Sequence, residues 1–241
     1  MKDTVSSTLR VASYNIRKCI GLDRKRRPGR TLDAINALGA DIVVLQEADR
    51  RLGDRPAALP REMIETGSDL SPVALGDAGS LGWHGNAVLL SRRFDVDSVA
   101  RLTLPGLEPR GAVVVDCRAG GAALRVVGLH LGLMRRHRQA QLEMIRRALA
   151  LREPLPTVIL GDFNEWSPEG GLEALNGAYS VHAPGLSFHA ARPMAALDRI
   201  ALSPSLGLQD AGVAQEGPAR RASDHLPVWA DLSLAPPSDG G

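Results

Sequence analysis

Short runs dominated by Val, Ile, Leu and Ala recur along the chain at 9–16, 41–46, 124–131 and 157–160. They are too short for helices and carry no helical period, which is the pattern of strands buried on both faces. Further strands are expected at 86–91, 96–104 and 111–117, and Gly120-Gly121 reads as a hairpin turn into 124–131, so this block is antiparallel. Helical spacing marks 31–38, closed by Gly39. It also marks 136–151, where Leu142, Ile145 and Leu149 share a face opposite Arg and Glu, before Pro154 ends the helix. Shorter helices are expected near 57–65 and 171–176, the rest of 50–80 reads as loop, and strands at 197–202 and 226–232 close the pattern. No internal repeat shows by inspection. Strands and helices mix without regular alternation, which two mixed sheets packed together with helices outside would satisfy.

Where these runs end, polar residues of a particular kind appear: Asn15, Gln46-Glu47, His130, Gly161-Asp162-Phe163-Asn164 and Asp198, with Ser223-Asp224-His225 ahead of the last strand. Rigid strands fix side chains at their ends while loops give access, so chemistry gathers there. Carboxylate and amide oxygens suit a hard divalent cation, and imidazoles with further carboxylates handle protons and phosphate charge. Metal-assisted cleavage of a phosphate ester is the chemistry this set points to. Glu47 leads as a metal ligand, because it supplies an anionic oxygen as it leaves a buried strand; Asn15 adds an amide oxygen or an N–H, and Asp224 completes the shell. Asp162 and Asn164 stand two apart, so in an extended loop both face one side. Asp198 and His225 form a pair in which the carboxylate fixes the imidazole tautomer and favours its protonated form. His225 is then either an electrostatic stabiliser or a general base; both readings stay open.

Composition narrows this only a little. Convergence of signatures from Asn15 to His225 argues for one catalytic domain over 9–234, with flexible tails at 1–8 and 235–241. A chain that is 44% hydrophobic and 23% charged supports an ordinary core. The net charge of +2 excludes a global basic field for nucleic acid, and 3% aromatic residues argue against a long base-stacking platform. Cys19 and Cys117 fit no metal-ligand spacing and leave at most one disulfide. The N-terminus lacks a secretion-type apolar stretch and no run reaches membrane-span length, so a soluble cytoplasmic protein with no obligate protein partner is the expectation.

The motifs Tyr14-Asn15, Gln46-Glu47, His130-Leu131-Gly132, Gly161-Asp162-Phe163-Asn164, Leu197-Asp198-Arg199-Ile200 and Ser223-Asp224-His225, in this order, resemble the endonuclease/exonuclease/phosphatase superfamily. That group includes deoxyribonuclease I, exonuclease III, neutral sphingomyelinases and inositol-polyphosphate phosphatases. The resemblance implies a four-layer α/β sandwich and phosphoester hydrolysis dependent on Mg²⁺ or Mn²⁺. It also implies that Asp162 orients or deprotonates the attacking water, that Asn164 holds the phosphate or that water, and that His130 is a second active-site histidine. Arg110 resembles an arginine that contacts the substrate phosphate, and Arg136, in the first turn of the helix after His130, is placed to do the same. Two departures stand out: no carboxylate matches the one that supports this histidine in deoxyribonuclease I, and Arg17 replaces an acidic metal ligand of the exonuclease III branch. A leaner shell with one ion is expected.

A small or lipid-linked phosphoester is favoured as substrate, with DNA or RNA as the alternative. Two other classes compete. Ala78-Gly79-Ser80-Leu81-Gly82 approaches the nucleophile elbow of a serine hydrolase, but no strong strand leads into Ser80 and no helix leaves it. A binding module that has lost its chemistry is the other, and the full set of metal and histidine positions argues against it.

Overall fold

The structure, a computed structural model, describes residues 8–50, 55–76, 79–167 and 170–234. Apart from residue 8, the expected tails fall outside these residues.

Strands β1 (Leu9–Asn15) and β2 (Ile42–Gln46) run parallel and are joined over helix α1 (Pro28–Asn36). Beside them lie β12 (Val228–Leu234) and β4 (Ala87–Ser91), both antiparallel, and β11 (Leu206–Val213) and β3 (Leu70–Pro72) complete the order β11-β12-β1-β2-β4-β3. The second sheet is built likewise. Its central parallel pair, β7 (Ala122–His130) and β8 (Thr157–Asp162), is joined over helix α3 (Arg135–Ala150). Antiparallel neighbours β6 (Arg110–Ala119) and β10 (Asp198–Leu202) flank that pair, with β5 (Asp95–Leu104) and β9 (Ser180–His182) at the edges, in the order β5-β6-β7-β8-β10-β9. The two sheets therefore repeat one topology, although the sequence shows no repeat. The registers agree as well: Asn15 pairs with Gln46 at the end of one parallel pair and His130 with Asp162 at the end of the other.

Burial on both faces explains the continuous apolar runs. Within β2, Ile42 and Val44 join the core between the sheets, while Val43 and Leu45 point to the outer layer. There α1, together with α2 (Arg61–Gly67) and α4 (Ala219–Ala222), covers the first sheet through Leu32, Ile35 and Ile64. On the far side α3 covers the second sheet with Leu142 and Ile145 against Leu129 and Ile159. Helices, sheet, sheet and helix make the expected four layers. The inner faces approach so closely at Gly128 that a Cβ there would lie 2.7 Å from Val44 Cγ1.

Three strands escaped the sequence pattern. β3 and β9 are three residues long, and β11 is mostly half-exposed and contains Gly207 and Gly212, so none shows clean alternation. The helix expected at 171–176 is one 3₁₀ turn, Glu173–Leu175. Both cysteines are free and buried, one in the outer core of the first sheet and one between the sheets, which removes the disulfide. Burial pushes their thiols up to about 11 for Cys19 and about 12 for Cys117, so both are unreactive at neutral pH.

Candidate active site

The topology brings the polar strand ends to one edge. Asn15, Gln46, His130 and Asp162 close β1, β2, β7 and β8, and Asp198 opens β10 directly opposite Asp162. His225 lies in the turn before β12, bridged to Phe188. At Gly161 a Cβ would sit 2.0 Å from the Leu129 carbonyl oxygen, so only glycine lets β8 run this close to β7 and deliver Asp162 beside His130. Non-glycine residues in the left-handed backbone region gather at the same edge, namely Arg17, Lys18, Cys19, Glu47 and Asn164. Such conformations cost free energy and persist only where the surrounding structure holds them.

Asp162 is the hub. Its Oδ2 accepts from Asn15 Nδ2 at 3.0 Å and is faced by His130 Nε2 at 3.4 Å and His225 Nε2 at 3.6 Å. Its Oδ1 accepts from the backbone N–H of Asn164 at 2.9 Å, and Asn164 Nδ2 donates to the Leu131 carbonyl. All five side chains are buried. Nitrogens from two strand ends and one turn thus converge on a single carboxylate oxygen.

The two imidazoles differ in kind. His225 Nδ1 lies 2.9 Å from Asp198 Oδ2, which also accepts from Ser187 Oγ at 2.6 Å. Burial works against the imidazolium, but Asp198, Asp162 and Asp224 overcome it and raise the His225 pKa to about 9, so this side chain is cationic at neutral pH. His130 instead has Nδ1 2.9 Å from Arg110 NH1. A guanidinium only donates, so His130 Nδ1 is an acceptor and Nε2–H faces Asp162. Where a carboxylate supports the matching histidine in deoxyribonuclease I, this chain uses an arginine.

Glu47 lines a cleft of about 250 Å³ together with Lys18, Asp49, Arg55, His84, Arg110 and His130, so it stands beside the cluster and not away from it. Its carboxylate is paired with Lys18, and Asp224 is paired with Arg17 at 3.2 Å. Arg17 and Lys18 form the turn after β1, and Arg17 N–H also donates to Asn15 Oδ1. Arg136 is exposed on α3 with its Nε on His137, outside the residues that line the cleft. Ser80 donates to the Gly82 carbonyl in a loop and is not set on a strand-to-helix turn, so the elbow reading has no structural setting.

Several supporting residues went unseen in the sequence. Arg138 and Glu165, both buried, pair at 2.7 Å; Arg138 also holds the Leu133 carbonyl and Glu165 accepts from the Ser167 N–H, clamping the His130 and Asp162 loops together. Gln141 bonds Gly132 N and the Pro105 carbonyl, and Phe188 packs 4.9 Å from the His225 ring. A long arginine or glutamine inside a helix gives no sign of which distant loop it reaches. The residue before Asp198 in the hydrogen-bond chain, Ser187, lacks any motif at all.

The donor chemistry fits a hard divalent cation. Among the described residues, Asp162, Asp198 and His225 bring ligand-type atoms within 4.8 Å of one another, but an imidazolium at His225 has no lone pair to give, so the two carboxylates are what this cluster offers, and buried Asp198 Oδ1 has no hydrogen-bond partner. Glu47, Asp224 and Asn15 add oxygens at the same edge, each engaged by the Arg17-Lys18 turn.

Two packed six-stranded mixed sheets with an acid–imidazole cluster at one edge define a protein of the α/β-sandwich class. The sequence profile of the endonuclease/exonuclease/phosphatase family matches residues 12–225, and the chain belongs to that family, whose enzymes depend on divalent metals. Over 223 residues it is 29% identical to the uncharacterized protein YbhP of Escherichia coli (strain K12), covering 84% of this chain and 87% of that protein. In fold it is similar to an endonuclease/exonuclease/phosphatase family protein of Bacteroides thetaiotaomicron, with a TM-score of 0.77 and 19% identity over 95% of this chain and 99% of that one. A mannosyl-6-phosphatase of the same organism gives 0.75 at 20% identity, covering 94% and 100%. D. rerio TDP2 complexed with single-strand DNA product gives 0.75 at 17%, covering 95% and 100%. No helix among the described residues is long and apolar enough to cross a membrane.

Proposed function

We propose that the chain is a phosphoesterase using one Mg²⁺ or Mn²⁺ ion and an activated water to cleave a small or lipid-linked phosphoester, monoester or diester. The observation that carries this reading is the convergence of Asn15, His130 and His225 nitrogens on Asp162 Oδ2. Donors gathered around one anionic oxygen are what the oxygens of a phosphoryl group in transfer require. Glu47, Asp224 and Asn15 would hold the ion, which supplies Lewis-acid polarisation of the phosphoryl oxygens.

The protein's own groups do the rest. Asp162 orients the water and takes its proton as the water oxygen bonds to phosphorus, opposite the ester oxygen that leaves. Asn164 fixes Asp162 through its backbone N–H. His225, cationic through Asp198, donates Nε2–H to the charge that builds on the phosphoryl oxygens, and its raised pKa supports this role over that of general base. His130 donates Nε2–H from the opposite side, aligned by Arg110, whose guanidinium borders the cleft and can also meet substrate phosphate. Arg136 is kept as a contact for outlying charge on a larger substrate.

DNA or RNA remains the second reading, favoured by the arginines of the cleft. A panel of phospholipids, sugar phosphates, a generic phosphodiester and plasmid DNA, each with Mg²⁺ and with Mn²⁺, decides between them. Turnover of lipid or sugar phosphoesters with little nicking supports the proposal; fast nicking with a silent small-molecule panel overturns it.

A further inference from the structure

We infer that the active-site edge docks on an anionic lipid surface, with an apolar ridge on the second sheet's side entering the lipid and a cationic collar on the first sheet's side meeting the headgroups. This deepens the function proposed above and rests on it for what is cleaved there, but docking itself is read without a substrate.

Ten large hydrophobic side chains are exposed among the described residues, and six of them, Leu107, Leu133, Met134, Trp166, Leu186 and Met194, lie on loops at this one edge. The other four are dispersed: Val96 and Val99 on edge strand β5, Met144 on α3, and Leu151 at its end. Bonds and ring contacts tie together the loops that carry them, and the Ser187 N–H, next to Leu186, donates to the Ala195 carbonyl, next to Met194. Leu133 N–H donates to Glu108 beside Leu107, and Arg138 ties the Leu133 carbonyl to Glu165 beside Trp166. The Trp166 ring meets Phe188 at 6.0 Å, and Met194 N–H donates to the Phe188 carbonyl. A run of exposed Leu, Met and Trp next to a reactive centre is surface that a soluble chain ordinarily hides, and these are side chains that partition into the boundary between headgroups and acyl chains.

Charge identifies the occupant. Residues 20–30 carry five cations against the single Asp23, and Arg26 Nε bonds the Lys18 carbonyl, which sets this loop beside Glu47. Exposed Arg50 borders the same cleft. Basic side chains near a membrane surface gain attraction to anionic lipid. The catalytic cluster sits between the cationic loop and the exposed apolar side chains, among which exposed Arg135, Arg136 and Arg192 add further cations, so a docked edge would hold a scissile phosphate at headgroup depth. A nucleic-acid strand would call for successive stacking planes, and among the described residues this edge exposes a single tryptophan.

Vesicle co-sedimentation of the full chain tests this, using phosphatidylcholine alone and phosphatidylcholine mixed with phosphatidylglycerol. The expected result is partitioning onto the mixed vesicles, with a blue shift of tryptophan emission that Trp166→Phe removes. The double variant Leu107→Asp with Met194→Asp should lower the partition coefficient about tenfold or more, with an unchanged circular-dichroism melt as the folding control. Three results would overturn the inference: vesicle binding that the double variant leaves intact, binding to a DNA oligonucleotide with none to vesicles, or a dimer in sedimentation velocity that covers this edge. Hydrolysis of soluble phosphoesters without vesicle binding sinks docking alone. Vesicle binding without any phosphoester hydrolysis sinks the proposed activity and leaves docking in place.

Discussion

Asp198 and His225 form a buried pair, with Oδ2 and Nδ1 2.9 Å apart, and the far nitrogen of the same ring faces a second carboxylate, Asp162. An imidazole between two acids keeps its proton well above its ordinary range. In the metal-free protein His225 should titrate by NMR at about 9. Asp198→Asn should bring that midpoint down by at least about one unit. Because the folded pKa is raised, the linked stability is fully present below about 6.5, the unfolded value, and is lost as pH rises through about 9. Melting curves recorded across that window should fall for the wild type and flatten for Asp198→Asn; an unchanged slope in the variant would show that the pair does not hold the proton.

Asp162 accepts from Asn15 and Asn164 and faces both histidines. Replacing it with Asn keeps the volume but removes the anionic oxygen that positions water. Turnover should fall by about 10³-fold while KM changes little, since the lost interaction acts mainly in the transition state. Steady-state kinetics on the substrate found by the panel measure this.

Arg138 and Glu165 are buried together, so removing one leaves an uncompensated charge. Arg138→Met should destabilise the fold by about 3–5 kcal/mol in urea unfolding. It should also lower turnover, because the loops of His130 and Asp162 lose their shared clamp. Double replacement with apolar residues should recover much of the stability and little of the activity.

Lys18 competes for Glu47 with any cation that binds there. Calorimetry should show Lys18→Met binding Mn²⁺ several-fold more tightly than the wild type, as expected when a positive charge close to the ligand oxygen is removed. A chelator should abolish hydrolysis, whereas Ser80→Ala, which removes a loop hydrogen bond to the Gly82 carbonyl, should retain it. The reverse pair of results would restore the serine-hydrolase reading.

The central strands were legible because they are buried on both faces: β2, Ile-Val-Val-Leu-Gln, can be little else. The residues at their ends were legible for a related reason, since an Asn, Glu, His or Asp that terminates such a run has no core role to explain it. β11 was not legible, because a half-exposed strand interrupted by glycines has no period to read. The inner clamps were equally hidden. Arg138 and Gln141 occupy ordinary helical positions and become supports only when loops 105–109 and 131–134 fold back over α3.

The linear order of residues was enough to place the central strands, the two main helices and the acids and imidazoles at the strand ends, because hydrophobic periodicity and strand termination are local properties. Which partner each of those groups meets was decided only in three dimensions. Arg110 supporting His130, Lys18 occupying Glu47 and Asp198 charging His225 join residues far apart in sequence, and hydrogen bonds and charges act through distances that chain order does not encode.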